Sequence, residues 1–127
     1  MLFVVVNRHN RSPISSGTAF LAEAVGTGVL AFVIFALTNP KNETTNGKGN
    51  GGLLIPPLIG TTVGALIAVL APLTQAGFNP ARDFGPRIVA YLAGWKTVAL
   101  QGWWVYVLGP IVGAIFGATI ADKVLYK

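Results

Sequence analysis

The sequence has no cysteine and a single histidine, His9, and both absences exclude classes of function. A chain without cysteine forms no disulfide, carries no thiolate nucleophile and builds no cysteine-based metal site, and one histidine cannot form a metal-binding cluster. Asp83, Glu23 and His9 show no acid–base spacing, and no nucleophile elbow, phosphate loop or metal signature occurs. We therefore expect neither an enzyme nor a bound metal or cofactor.

Charge is also scarce. Charged residues make up 10% of the 127 residues and hydrophobic ones 53%, whereas charged residues are roughly 25% of soluble domains. The mean hydropathy of +0.64 agrees with this and argues against an ordinary water-soluble domain. The net charge of +5 lies almost entirely outside the apolar runs. This distribution favours membrane ends facing anionic lipid and cytosol over a nucleic-acid partner.

Three apolar runs decide the fold class. They cover residues 18–38, 53–73 and 103–121, and Glu23 is their only charged residue. At about 1.5 Å per residue they reach roughly 28–32 Å, close to the thickness of the hydrocarbon core of a bilayer. Each run is predicted to cross a membrane as a helix. The fold class is therefore an all-α membrane protein.

The segments between the runs differ in character. Residues 1–17 show no convincing signal peptide and stay unassigned, and residues 39–52 are predicted to form a solvated loop. The stretch from 74 to 102 is too polar to span, yet part of it is apolar, which favours a re-entrant half-helix over a surface loop. Asn79 suits an N-cap and Pro80 the first helical position, so this half-helix is predicted over residues 79–94.

The start of the half-helix carries the charged residues that need an explanation. A helix that begins inside a membrane directs unsatisfied amides and a partial positive charge at whatever precedes it. Arg82 in that first turn is electrostatically unfavourable, which favours a functional role over a stabilising one. Asp83 is favourable there and has two candidate partners, Arg82 and Arg87. The alternative is a mutually neutralised cluster under a loop.

The run from Pro72 to Arg87, PLTQAGFNPARDFGPR, closely resembles a known motif. It is similar to the second Asn-Pro-Ala signature of the aquaporin, or major intrinsic protein, superfamily, in its aquaglyceroporin branch. The resemblance extends over residues 18–124. The three runs look like the fourth, fifth and sixth transmembrane helices of that fold, so the chain resembles its C-terminal half, the second inverted repeat.

The resemblance implies roles for five residues. Asn79 would donate its side-chain amide to solute at the pore centre, with Ala81 beside it at the half-helix tip. Arg82 would form the cationic side of the selectivity filter, where it and the helix dipole repel cations. Two further filter positions fall on Ile67 and Ala76. Their apolar side chains imply a wide wall that suits glycerol better than water alone.

Four further positions bear on the branch of the family, and Glu23 bears on the loop before Asn79. Asp83 and Arg87 are residue types that the glycerol-conducting branch shows after its motif. Tyr106 and Val107 depart from that branch, which more often has Pro-Leu there, so the preference between water and glycerol stays open. Glu23 is either an interfacial carboxylate or, as the resemblance implies, a buried one that braces the loop before Asn79.

Small residues recur at helical spacing in two of the runs. One stripe comprises Gly109, Gly113, Gly117 and Ala121, and a shorter one comprises Gly60 and Gly64. Such stripes allow helices to approach closely. We expect them to serve helix packing and not chemistry.

The function that the resemblance implies is passive conduction of glycerol and other small neutral solutes, with water, across the cell membrane. Members of the family close one pore with two inverted halves. This chain resembles only the second half, so we expect a fragment, a chain that assembles with a partner half, or a homo-oligomer of dual topology. The alternative function is a non-conducting interaction module that associates with full-length aquaporin-like proteins.

Overall fold

The computed structural model of the chain describes residues 14–46 and 51–127, and all regular structure in those ranges is helical. The α-helices are α1 (Ser16–Thr38), α2 (Glu43–Asn46), α3 (Ile55–Thr74), α4 (Pro80–Ala90) and α5 (Trp103–Leu125). Shorter helical turns cover Gly51–Leu54, Tyr91–Trp95 and Lys96–Leu100. The helices α1, α3 and α5 are long and apolar enough to cross a membrane. The predicted all-α architecture of three long helices and one shorter helix is confirmed.

The starts of the helices follow local sequence signals. Ser15 caps α1, with its Oγ accepting from the backbone N–H of Thr18 at 3.1 Å. Pro56 and Pro57 stand in the first turn of α3, where an amide hydrogen would have no intrahelical partner. The sequence pattern assigns no structure to segment 1–17, and residues 1–13 of it, including His9, lie outside the described residues.

Helices α1 and α5 pack with their backbones in contact. A Cβ atom added to Gly113 would lie 2.0 Å from the carbonyl oxygen of Ala24, and one added to Gly117 would lie 2.0 Å from that of Gly28. No side chain fits at either point. The long glycine stripe therefore brings the two helices together at backbone distance.

The shorter stripe behaves differently. A Cβ atom added to Gly60 or Gly64 on α3 would meet no atom within 4 Å among the described residues. Thr74 is the single described residue of α3 that is fully buried. The packing that we expected of this stripe is thus missing from the described part of the chain, because α3 leaves that face open.

The polar connection after α1 is more ordered than the sequence suggested. Asn42 Oδ1 accepts from the backbone N–H groups of Thr44 and Thr45, which begins the single turn α2. The Thr45 hydroxyl donates to the carbonyl of Leu37 at 2.6 Å. The prediction of a solvated loop overlooked this turn, because a side-chain cap needs no apolar periodicity. Residues 47–50 of that loop lie outside the described residues.

Candidate functional site

The segment between α3 and α4 has an unusual backbone. Gln75, Ala76 and Phe78 have φ values of 64°, 52° and 52°, in the left-handed region. Such conformations cost of order 1–3 kcal/mol for a residue other than glycine and persist only where the surroundings hold them. The contacts that hold residues 75–79 are therefore part of the site.

Glu23 on α1 provides two of these contacts. Its Oε1 accepts from the N–H of Gly77 at 2.9 Å, and its Oε2 accepts from the N–H of Phe78 at 2.7 Å. The side chain is fully buried. A carboxylate at this depth is tolerated because both oxygens accept hydrogen bonds. This geometry matches the brace implied by the resemblance and differs from an interfacial Glu23 that reaches headgroups.

The ring of Phe78 fits against α1 only because residue 26 is glycine. A Cβ atom at Gly26 would lie 2.3 Å from Phe78 Cε1. Phe78 is buried, and so the loop meets α1 through its backbone amides and through this ring.

Two further residues hold the beginning of the loop. The Thr74 hydroxyl oxygen accepts from the N–H of Ala76 at 3.2 Å, and the Tyr106 hydroxyl donates to the Thr74 carbonyl at 3.1 Å. Both side chains are buried. The sequence offered Tyr106 only as a departure from the glycerol-conducting pattern. Its contact with Thr74 joins residues 32 positions apart, which no local pattern reveals.

Asn79 occupies the tip of α4, where we expected it. Its Oδ1 accepts from the N–H groups of Ala81 and Arg82 at 2.9 and 3.2 Å. The capping oxygen thereby fixes the orientation of the side-chain amide. The amide nitrogen donates no hydrogen bond within the described residues, and Asn79 and Ala81 are both exposed. A donor at the positive end of the helix is thus available to a ligand.

Arg82 extends back over the loop instead of pairing with Asp83. Its Nη1 donates to the carbonyl oxygens of Ala76 and Gly77 at 3.3 and 3.5 Å. The residue remains exposed. These two carbonyls orient the guanidinium without neutralising it.

The two other expected filter positions differ from each other. Ile67 on α3 is 36% exposed, so its side chain has free apolar surface. Ala76 is 0% exposed and has a φ of 52°. The role of its methyl group in a wall opposite Arg82 stays a prediction. Ala76 contacts Arg82 through its carbonyl oxygen.

Asp83 pairs with Arg87, which decides between its two candidate partners. Arg87 Nε donates to Asp83 Oδ2 at 2.5 Å, and Nη2 donates to Oδ1 at 3.3 Å. The Nη1 of Arg87 donates to the carbonyls of Ala99 and Gln101 at 3.0 and 2.9 Å. The pair is buried and anchors α4 to the segment before α5. Both oxygens of Asp83 are occupied, so the charge of Arg82 stays uncompensated by this carboxylate.

Comparison with a family model supports the structural description. The model described as major intrinsic protein matches residues 4–121. The match includes residues 4–17, to which the sequence pattern alone assigns no role.

Curated relatives match over most of this chain. A glycerol uptake facilitator protein of Pseudomonas aeruginosa is 39% identical over 90% of this chain and 41% of its own length. One of Escherichia coli K12 is 42% identical over 84% of this chain and 38% of its own length. A propanediol uptake facilitator of Citrobacter freundii is 38% identical over 97% of this chain and 46% of its own length. The chain thus spans less than half the length of these relatives, whose names describe facilitators and not enzymes.

Proposed function

Because this chain belongs to the major intrinsic protein family, we propose that its described residues form one wall of a passive channel for glycerol and other small neutral solutes, with water. The chain is an integral membrane protein, with three helices of spanning length. The names of its relatives, which are facilitators of glycerol and propanediol uptake, support solutes of this class. The proposed location is the cell membrane.

The observation that carries this proposal is the pair of exposed donor side chains, Asn79 and Arg82, at the start of α4. Asn79 and Arg82 are exposed, whereas the ionisable side chains around them, Glu23, Asp83 and Arg87, are buried and satisfied. Two donors of fixed orientation suit the hydroxyl oxygens of a polyol or a water molecule. The uncompensated guanidinium and the positive helix end oppose the entry of cations.

The other predicted filter residues serve this wall in different ways. Ile67 offers apolar surface to the hydrocarbon edge of glycerol, and Ala81 leaves room at the helix tip. Ala76 contributes its carbonyl, which orients Arg82. A wall with donors on one side and apolar surface on another matches a solute that has a hydroxyl edge and a hydrocarbon edge.

Osmotic light scattering on proteoliposomes tests the proposal. Vesicles that hold only the 127-residue chain are compared with empty vesicles for water and glycerol permeability. A second preparation adds the part of the E. coli relative that this chain does not cover. Permeability above that of empty vesicles in either preparation supports a channel wall.

Equal permeability in both preparations, with insertion demonstrated, would contradict the channel. It would favour a non-conducting module that associates with other membrane helices. The open face of α3, where Gly60 and Gly64 meet no neighbouring atom within the described residues, supports such an association.

In the conducting preparation, Arg82→Ala is expected to relax cation exclusion. Loss of a unit charge that faces the solute lowers the electrostatic barrier to a cation by more than about 1.4 kcal/mol, so cation leak rises roughly tenfold or more. Ion flux is measured beside glycerol flux. Lys96→Ala removes one charge from an exposed residue outside the site and serves as the control. Unchanged selectivity in Arg82→Ala would refute the filter role.

A further inference from the structure

We propose that Tyr106 is a positioning residue for Arg82, acting through Thr74 and Ala76. This inference rests on the proposed function, in which Arg82 faces the solute. It assigns to Tyr106 a role in selectivity although its side chain is 1% exposed and cannot itself meet a solute.

The first link joins α5 to the end of α3. Tyr106 lies in the first turn of α5, and its hydroxyl donates to the carbonyl of Thr74 at 3.1 Å. Thr74 is the last residue of α3, and the remainder of that helix is largely open. The hydrogen bond therefore fixes the point at which the chain leaves α3 and enters the loop.

The second and third links lead from Thr74 to the guanidinium. The Thr74 hydroxyl oxygen accepts from the N–H of Ala76 at 3.2 Å, and the Ala76 carbonyl accepts from Arg82 Nη1 at 3.3 Å. Because Ala76 has a φ of 52°, the direction of its carbonyl depends on a conformation that the chain does not adopt unaided. Three consecutive hydrogen bonds thus connect Tyr106 with Arg82.

Glu23 holds the other side of the same residue. Its Oε1 accepts from the N–H of Gly77, which shares one planar peptide with the Ala76 carbonyl. Thr74 holds the N–H of Ala76, so the two contacts together define the conformation of Ala76. Loss of the Tyr106 hydroxyl leaves the Glu23 contact in place but removes a support of Thr74, which loosens the conformation that directs the Ala76 carbonyl.

Substitution of Tyr106 by phenylalanine isolates the hydroxyl. The centroid of the Tyr106 ring lies 5.3 Å from the Arg87 guanidinium carbon, and phenylalanine retains that contact. The full chain is inserted into lipid vesicles and treated with phenylglyoxal, which modifies accessible guanidinium groups. Mass spectrometry of the peptides then quantifies modification at Arg82 and Arg87 separately.

The expected result for Tyr106→Phe is faster modification of Arg82 by about fivefold, the factor that loss of one ordinary hydrogen bond gives to a local equilibrium. Arg87 is 1% exposed and should stay protected, which reports that the fold is retained. Thr74→Val removes the second link without changing the side-chain size and should act in the same direction.

The other two tyrosines provide matched controls. Tyr126 also donates its hydroxyl to a backbone carbonyl, that of Ala36, so Tyr126→Phe loses a similar hydrogen bond far from Arg82. Tyr91 is 43% exposed, and Tyr91→Phe controls for the substitution itself. Neither control should alter modification of Arg82.

A rate at Arg82 in Tyr106→Phe equal to that of the unaltered chain or of Tyr126→Phe would overturn the proposal. Equal acceleration at Arg82 and Arg87 would also overturn it, because this indicates general loosening. If Tyr106→Phe does not fold, the modification rates of Arg82 and Arg87 in Thr74→Val test the proposal in the same way. The assay requires no solute flux, so its failure is distinguishable from failure of the channel proposal.

Discussion

Replacement of Gly113 by alanine is expected to separate α1 from α5. The added methyl group would lie 2.0 Å from the carbonyl oxygen of Ala24, and backbone cannot move aside as a flexible side chain does. We expect the free energy of unfolding to fall by about 3 kcal/mol, the upper end of the usual cost of overpacking. Denaturant titration in micelles, followed by tryptophan fluorescence, measures the change, because Trp104 stacks on Phe20 between these helices.

Gly64→Ala is the matched control for this prediction. It makes the same chemical change inside α3, where the added Cβ atom would have no atom of the described residues within 4 Å. Alanine favours a helix over glycine by up to about 1 kcal/mol, so this variant should be as stable as the unaltered chain or slightly more so. Equal destabilisation of the two variants would mean that the α1–α5 contact does not determine stability.

Glu23→Gln is expected to release the loop before Asn79. The substitution exchanges one carboxylate oxygen for an NH₂ group, so the side chain can accept only one of the two backbone amides. Loss of a hydrogen bond to a charged group costs about 2 kcal/mol, which corresponds to a roughly thirtyfold faster local opening. Amide hydrogen exchange at Gly77 and Phe78 measures this opening directly.

Glu43→Gln changes an exposed carboxylate on α2 in the same way and should leave both exchange rates unaltered. The exchange at Gly113, in the middle of α5, should change little in either variant. If Gly77 and Phe78 stay as protected in Glu23→Gln as before, the brace does not stabilise the loop.

Much of the architecture follows from local sequence. The three spanning helices arise from apolar runs of bilayer length, and Asn79-Pro80 marks the start of α4 by its capping chemistry alone. The family match confirms the resemblance drawn from residues 72–87. The spacing of Asp83 and Arg87 allows the pairing that the structure contains, because residues four apart lie on one face of a helix.

The remainder depends on contacts between distant parts of the chain. Ala76 is buried and has a left-handed backbone, and neither its residue type nor its place in the motif predicts these two features. The bond from Tyr106 to Thr74 required the fold to bring α5 against the end of α3. Gly60 and Gly64 on α3 have the same four-residue spacing as the glycines that pack α5 against α1. Within the described residues, however, no helix packs against them.

The backbone contact between α1 and α5 at Gly113 and Gly117 also affects how the loop responds to temperature. Side chains at an ordinary helix interface change rotamer, and the separation of the helices fluctuates with them. Glycine has no rotamers, so backbone atoms set the distance between the helices at Gly113 and Gly117. Glu23 on α1 and Tyr106 on α5 both hold the loop by hydrogen bonds. The distance between these two holding residues therefore changes little as long as the helices stay in contact. The orientation of Arg82 should accordingly vary little with temperature until the helices themselves separate.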